Sequence, residues 1–62
     1  MKIIYRDREW ELKRRTTVRR AIKKVGLNPE AVLTLLNGEL VTDDRVVEQD
    51  DTLKLIAVVS GG

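Results

Sequence analysis

Only one stretch of this chain carries a helical pattern. Val18, Ala21, Ile22 and Val25 recur at i, i+3, i+4 and i+7, which places them on one helix face. The other apolar stretches read as strands. Residues 2–6 are β-branched and aromatic, residues 9–13 alternate polar and apolar, and residues 31–36 and 52–59 are apolar runs of strand length. One helix covers one face of a sheet and no more. The predicted fold class is therefore α+β, a mixed sheet of four to five strands packed on one helix. At 62 residues the chain has room for a single domain, and a domain of this size is marginal unless its aliphatic side chains pack well. It has neither Cys nor His, which excludes disulfides, thiolate or imidazole metal sites, and thiol nucleophiles. No metal site and no catalytic residue is expected.

The turn residues order these elements. Asp7-Arg8 joins the first two strands as a hairpin, with Trp10 and Leu12 facing inward beside Ile3 and Tyr5. Thr16-Thr17 supplies a side chain to cap the helix, and Gly26 stands where a helix-ending glycine belongs, with Leu27 folding back. Arg19 and Arg20 near the helix start oppose the macrodipole, and no local reason for them is visible in the sequence. Asn28-Pro29-Glu30 reads as a turn or short helical start. Asn37-Gly38 is a strong hairpin signal because both residues accept positive φ, and residues 39–41 form the return strand. Residues 42–51 are irregular; Val46 and Val47 are expected to dip into the core, and Asp50-Asp51 to turn the chain into its last strand.

Pairing the last strand parallel to the first puts Leu53 and Leu55 beneath the helix with Ile3 and Tyr5. Ile4, Ile56 and Val58 are then left on the other face. They form either a docking patch or ordinary strand composition on a partly exposed surface. The formal net charge of +2 is too small to argue for nucleic acid. Its distribution is uneven, with Arg19, Arg20, Lys23 and Lys24 on the helix side opposite the apolar stripe. A solvated helix face is the plain reading and a binding surface the alternative. Sparse aromatics leave no platform for base stacking, so no direct nucleic-acid partner is expected. No apolar run is long enough to span a bilayer and no signal-peptide pattern is present, so a cytoplasmic protein without a membrane partner is expected.

The last strand runs into Ser60-Gly61-Gly62. Glycine has no Cβ, so such a tail can enter a narrow slot. Taken alone, it reads first as a frayed end. The expected organisation is a domain over residues 1–59 and a flexible tail over 60–62.

Strand hairpin, helix, Leu36-Asn37-Gly38-Glu39-Leu40-Val41, a charged turn and an aliphatic strand ending in Gly61-Gly62 together resemble the ThiS/MoaD-type ubiquitin-like sulfur carriers. The likeness covers the whole chain and implies a β-grasp fold. The Thr17-Val18 helix entry and the short first hairpin are closest to ThiS and to carriers for tRNA thiolation. One departure is Gln49-Asp50-Asp51, where members often have Asp-Gly-Asp; Asp tolerates the left-handed backbone such a turn can require.

The resemblance implies no bound cofactor. An E1-like adenylating enzyme would use ATP to activate the carboxylate of Gly62, with Gly61 supplying slimness. A cysteine desulfurase or rhodanese type of donor would supply sulfur, leaving a thiocarboxylate. A sulfur-accepting synthase would then pass the sulfur to thiamine thiazole or tRNA 2-thiouridine. Ile4, Ile56 and Val58 would dock the partner, with Arg19, Arg20 and Lys23 as a secondary, electrostatic contact. The alternatives are a ubiquitin-like modifier conjugated through Gly62 to target lysines, a small adaptor using its basic helix, and a module cut from a larger enzyme.

Overall fold

The computed structural model describes residues 1–58. The strands are β1 (Lys2–Tyr5), β2 (Arg8–Glu11), β3 (Thr16–Thr17), β4 (Val32–Leu36), β5 (Glu39–Val41), β6 (Val46–Val47) and β7 (Thr52–Ala57). The helix α1 spans Val18–Lys24, and Pro29–Ala31 forms one 3₁₀ turn. The main sheet has the order β2-β1-β7-β4-β5. β1 and β7 pair in parallel; the β1–β2, β4–β7 and β4–β5 pairs are antiparallel. This is the expected β-grasp architecture, a mixed five-stranded sheet on one helix.

Register decides which side chains meet. Ile3 lies beside Leu53 and Trp10, and Leu53 beside Leu36. Paired residues share a face, so these positions lie together beneath Val18, Ala21 and Ile22. Ile3, Val18, Ala21, Ile22, Val47 and Leu53 are fully buried. Each large aliphatic among them contributes about 1.5–3 kcal/mol through its burial. Tyr5, Trp10 and Leu12 close the core at its rim, half-buried. Trp10 faces inward as expected, with the Arg8 guanidinium 4.8 Å from its ring centroid.

The 42–51 segment is more ordered than the sequence suggested. β6 pairs with β3 as a second, two-stranded sheet. Neither strand is long enough to carry a periodic signal, so neither was legible. Val47 enters the core, but Val46 points outward and is 40% exposed; adjacent strand residues face opposite ways, so both could not be buried. The pairing carries over into the helix start. Val18 N–H donates to the Arg45 carbonyl at 2.9 Å and Arg19 N–H to the Asp43 carbonyl at 2.8 Å. Thr17 Oγ1 accepts from Arg20 N–H. The free amides of the first turn are thus partnered. Arg19 also donates to the Asp43 carboxylate at 2.7 Å. Asp43 is therefore the local reason for a basic residue near the helix start. At the other end Leu27 N–H reaches the Ile22 carbonyl and Gly26 N–H that of Lys23. With Gly26 at φ 84°, this is a Schellman ending.

The Asn37-Gly38 turn has both residues at positive φ, 52° and 86°. Asn37 does more than turn the chain. Its Oδ1 accepts from Thr52 N–H and its Nδ2 donates to Asp51 Oδ1, both at 2.9 Å. Asp51 Oδ2 in turn accepts from Glu48 N–H at 2.8 Å. The hairpin is thereby clamped to the turn that launches β7. Asp50 does not adopt the left-handed region. Among the described residues only Arg6 and Asn37 do so without being glycine. The turn lacks a glycine because the Asp51 carboxylate secures it without one.

The hydrogen bond from Asn37, then that from Glu48 N–H, hold the Asp51 carboxyl below its usual value of 3.8. A depressed pKa in the folded state adds stability that is fully present above the unfolded value and lost as pH falls through the folded one. The melting temperature should therefore fall as pH drops below about 4. Asp51→Asn should flatten this part of the acid limb and lower the melting temperature at neutral pH. Thermal melts of both proteins across that range check it.

Candidate functional site

The face of the sheet away from α1 has no covering layer among the described residues. Register assigns its members. Ile4 lies beside Lys54 and Glu9, Ile56 beside Leu33, and Leu35 beside both Lys54 and Leu40. Ile4, Leu33, Leu35, Leu40 and Ile56 therefore share one surface. Leu33 is 49% exposed, Leu40 63% and Ile56 41%. Leu35 and Ile4 are half-buried. The surface is polarised. Its β4–β5 end is aliphatic, while its β1–β2 end carries the Lys2–Glu9 ion pair at 3.5 Å and Glu11. Lys54 stands between the two. Large contiguous apolar patches of this kind mark interaction sites in soluble domains.

The structure brings together the expected docking residues, but not in the expected proportions. Ile4 and Ile56 share the face as predicted, diagonally across the β1–β7 pair. Val58 lies just beyond β7 and is 46% exposed. The centre of the patch has moved toward β4 and β5. Leu33, Leu35 and Leu40 were missed, although a signal for the first two existed. Residues 32–36 are apolar on both strand faces, and with one helix available one of those faces must stay uncovered. Leu40 lies in a strand of three residues, too short for its facing to be read.

Arg19, Arg20 and Lys23 lie on exposed positions of α1, on the other side of the molecule. They do not border the apolar patch. Arg19 is already engaged by Asp43.

The patch adjoins the end of β7. Val58, the last described residue, donates its N–H to the Ala31 carbonyl at 2.9 Å. Ala31 is itself fixed by the 3₁₀ turn, which Asn28 caps through Glu30 N–H. The chain is thus held by a backbone hydrogen bond up to Val58. Gly61 and Gly62 lie outside the described residues. Among the described residues there is no group of three or more acidic residues placed to hold a metal ion, and no helix long and apolar enough to cross a membrane. What the described residues offer is a strand end held by a backbone hydrogen bond, with an apolar surface beside it.

Comparison with known proteins agrees with this geometry. The model of the ThiS family matches residues 1–62. The chain is 36% identical over 55 residues to a sulfur carrier protein, TtuB, of Thermus thermophilus, an alignment covering 89% of this chain and 85% of the relative.

Proposed function

The chain belongs to the ThiS family, and on that premise we propose that Gly62 is the point at which this sulfur carrier is loaded. The Gly62 carboxylate attacks ATP on a separate activating enzyme, releasing pyrophosphate and forming an acyl-adenylate. The outer sulfur of a persulfide on a donor of the cysteine desulfurase or rhodanese type then displaces AMP to give an acyl disulfide. A second thiol cleaves that disulfide, leaving a terminal thiocarboxylate on the carrier and a disulfide between the two thiols. A carboxylate is a poor acyl donor until its oxygen is made a leaving group, and this chain offers no groups of its own for that step. It acts as a co-substrate in the cytoplasm, without catalytic residues. The observation that carries the reading is the family match, which extends through Gly61 and Gly62.

Residues 1–59 form the handle and 60–62 the delivered tail. Ile4, Leu33, Leu35, Leu40, Ile56 and Val58 dock the activating enzyme. For the acceptor we favour tRNA 2-thiouridine over thiamine thiazole. The turn before β7 lacks the glycine of the Asp-Gly-Asp pattern, and variants without it also occur among carriers for tRNA thiolation; here Asp51 supports the turn through its hydrogen bonds to Asn37 and to Glu48 N–H.

Intact-mass analysis tests the reading. Incubation with the activating enzyme, ATP and a sulfur donor should give an oxygen-to-sulfur shift confined to the C-terminal peptide. Appearance of the chain joined to lysines of other proteins, with no such shift, would instead identify a protein modifier.

A further inference from the structure

The helix side carries a surface that loading and docking leave unused. Between the segment following β2 and the exposed side of α1 lies a cleft of about 310 Å³, lined by Leu12, Arg14, Arg15, Thr16, Arg20 and Lys24. Four of these six are cations and none is an acid. Arg20 and Lys24 stand one helical turn apart, where like charges destabilise a helix slightly. Of the other nine Lys and Arg residues, three are matched among the described residues (Lys2 with Glu9, Arg15 with Glu48, Arg19 with Asp43) and six are not, so what marks the cleft is the clustering of its cations. Arg14, Arg20 and Lys24 form no ion pair among the described residues. The chain thus gathers three unmatched cations around one concavity, although it carries nearly as many acids as bases.

We propose that this cleft binds the phosphate backbone of RNA, so that the carrier itself helps hold the RNA to be thiolated. The donor set suits phosphate: guanidinium forks, an ammonium and the Thr16 hydroxyl are the groups that contact backbone oxygens. An acidic protein surface fits less well. Protein interfaces are built around an apolar centre, and Leu12 is the cleft's one apolar member, whereas the broad apolar patch lies on the opposite side of the sheet. The shortage of aromatics argues against base stacking but not against backbone contact, which needs none. Binding should therefore be independent of sequence.

The placement permits both engagements at once. Leu12 pairs with Met1, at the end where β1 begins. β7 runs parallel to β1, so its last described residue, Val58, lies toward the opposite end. Met1 is level with Asp51 in this register and β7 runs on through Ala57, so the separation along the sheet to Val58 is about seven strand residues, roughly 23 Å. A single RNA can then rest in the cleft and present a base near the tail. This consequence rests on the carrier reading; the cleft's affinity for RNA does not.

The test is a titration of the isotopically labelled chain with bulk tRNA at several salt concentrations, followed by amide shifts. Perturbations should centre on residues 12–24. The logarithm of the association constant should fall with the logarithm of salt at a slope of about −2 to −3. Replacing Arg20 and Lys24 together by Glu should weaken binding at least tenfold, and replacing both by Gln should reduce the slope by about 2. Amide spectra establish that both variants are folded. Absence of binding at low salt, or binding unaltered by the double substitutions, would overturn the proposal. So would equal binding of poly-glutamate, which would assign the cleft to an acidic protein. Thiocarboxylate formation by the unaltered chain is read separately; its failure would count against the carrier reading and leave the RNA titration standing.

Discussion

Deleting Gly62, or adding one residue after it, abolishes thiocarboxylate formation and leaves the melting temperature unchanged. The two halves of this expectation have separate physical causes. The domain is held by Ile3, Val18, Ile22, Val47 and Leu53, all fully buried, and its last described backbone hydrogen bond is that from Val58 to Ala31. These core residues and that hydrogen bond all lie within residues 1–58, so a change at Gly62 removes none of them. The chemistry depends on the tail entirely. Adenylation needs a free carboxylate at the reach set by the tail, and three extended residues span roughly 10 Å. Removing one shortens that reach by about 3 Å, and misplacement of even 1 Å can cost about 100-fold in rate. Adding one lengthens the tail by the same amount and gives the new carboxylate a neighbour other than Gly61. Intact mass after incubation with activating enzyme, ATP and sulfur donor, set beside thermal melts, decides the matter. If the extended protein still acquired sulfur at its terminus, the role of Gly62 would be wrong.

Leu40→Asp and Ile56→Asp should each weaken binding to the activating enzyme by about 30-fold or more, the effect of losing about 2 kcal/mol at an interface centre. Leu40 is 63% exposed and Ile56 41%, so neither replacement empties the core, and the melting temperature should change by only a few degrees. A charge at either position would be stripped of water on docking without a partner, which is why the effect on binding exceeds that of simple truncation. Val46→Asp is the control. Val46 is 40% exposed and apolar and lines one concavity with Leu40, but it lies in β6, outside the main sheet, and its replacement should cost clearly less affinity than either of the other two. Equal losses for all three variants would mean that general hydrophobicity, not this face, governs the interaction. Unchanged affinity for Leu40→Asp and Ile56→Asp would remove the patch from the account.

Much of this site was visible in the sequence, but unevenly so. The period-two and 3.6-residue patterns located four of the strands, the helix and the inward set of Ile3, Trp10, Leu53 and Leu55. Asn37-Gly38 fixed one hairpin. Local chemistry was also enough to see that the chain carries no thiol or imidazole, and that Gly61-Gly62 follows the last strand. Three features were not legible. The β3–β6 pair was hidden because strands of two residues have no period. The Asn37–Asp51 clamp was hidden because its partners are fourteen residues apart and meet only when β4 and β7 pair. Leu40 was hidden because a strand of three residues does not reveal which way it faces.

The sequence by itself determined that one helix must serve one sheet, that the interior is aliphatic, and that neither thiol nor imidazole is present. These follow from composition and short-range spacing, which folding cannot alter. The tertiary structure decided what lies beside what. Strand order placed β7 between β1 and β4, so residues from three separate segments became one apolar face next to the end of β7. The helix packed on the opposite face, which gathered Arg14, Arg20 and Lys24 around one cleft, remote from that patch. Side-chain neighbours across a sheet are set by register, and register is fixed only when the whole core closes.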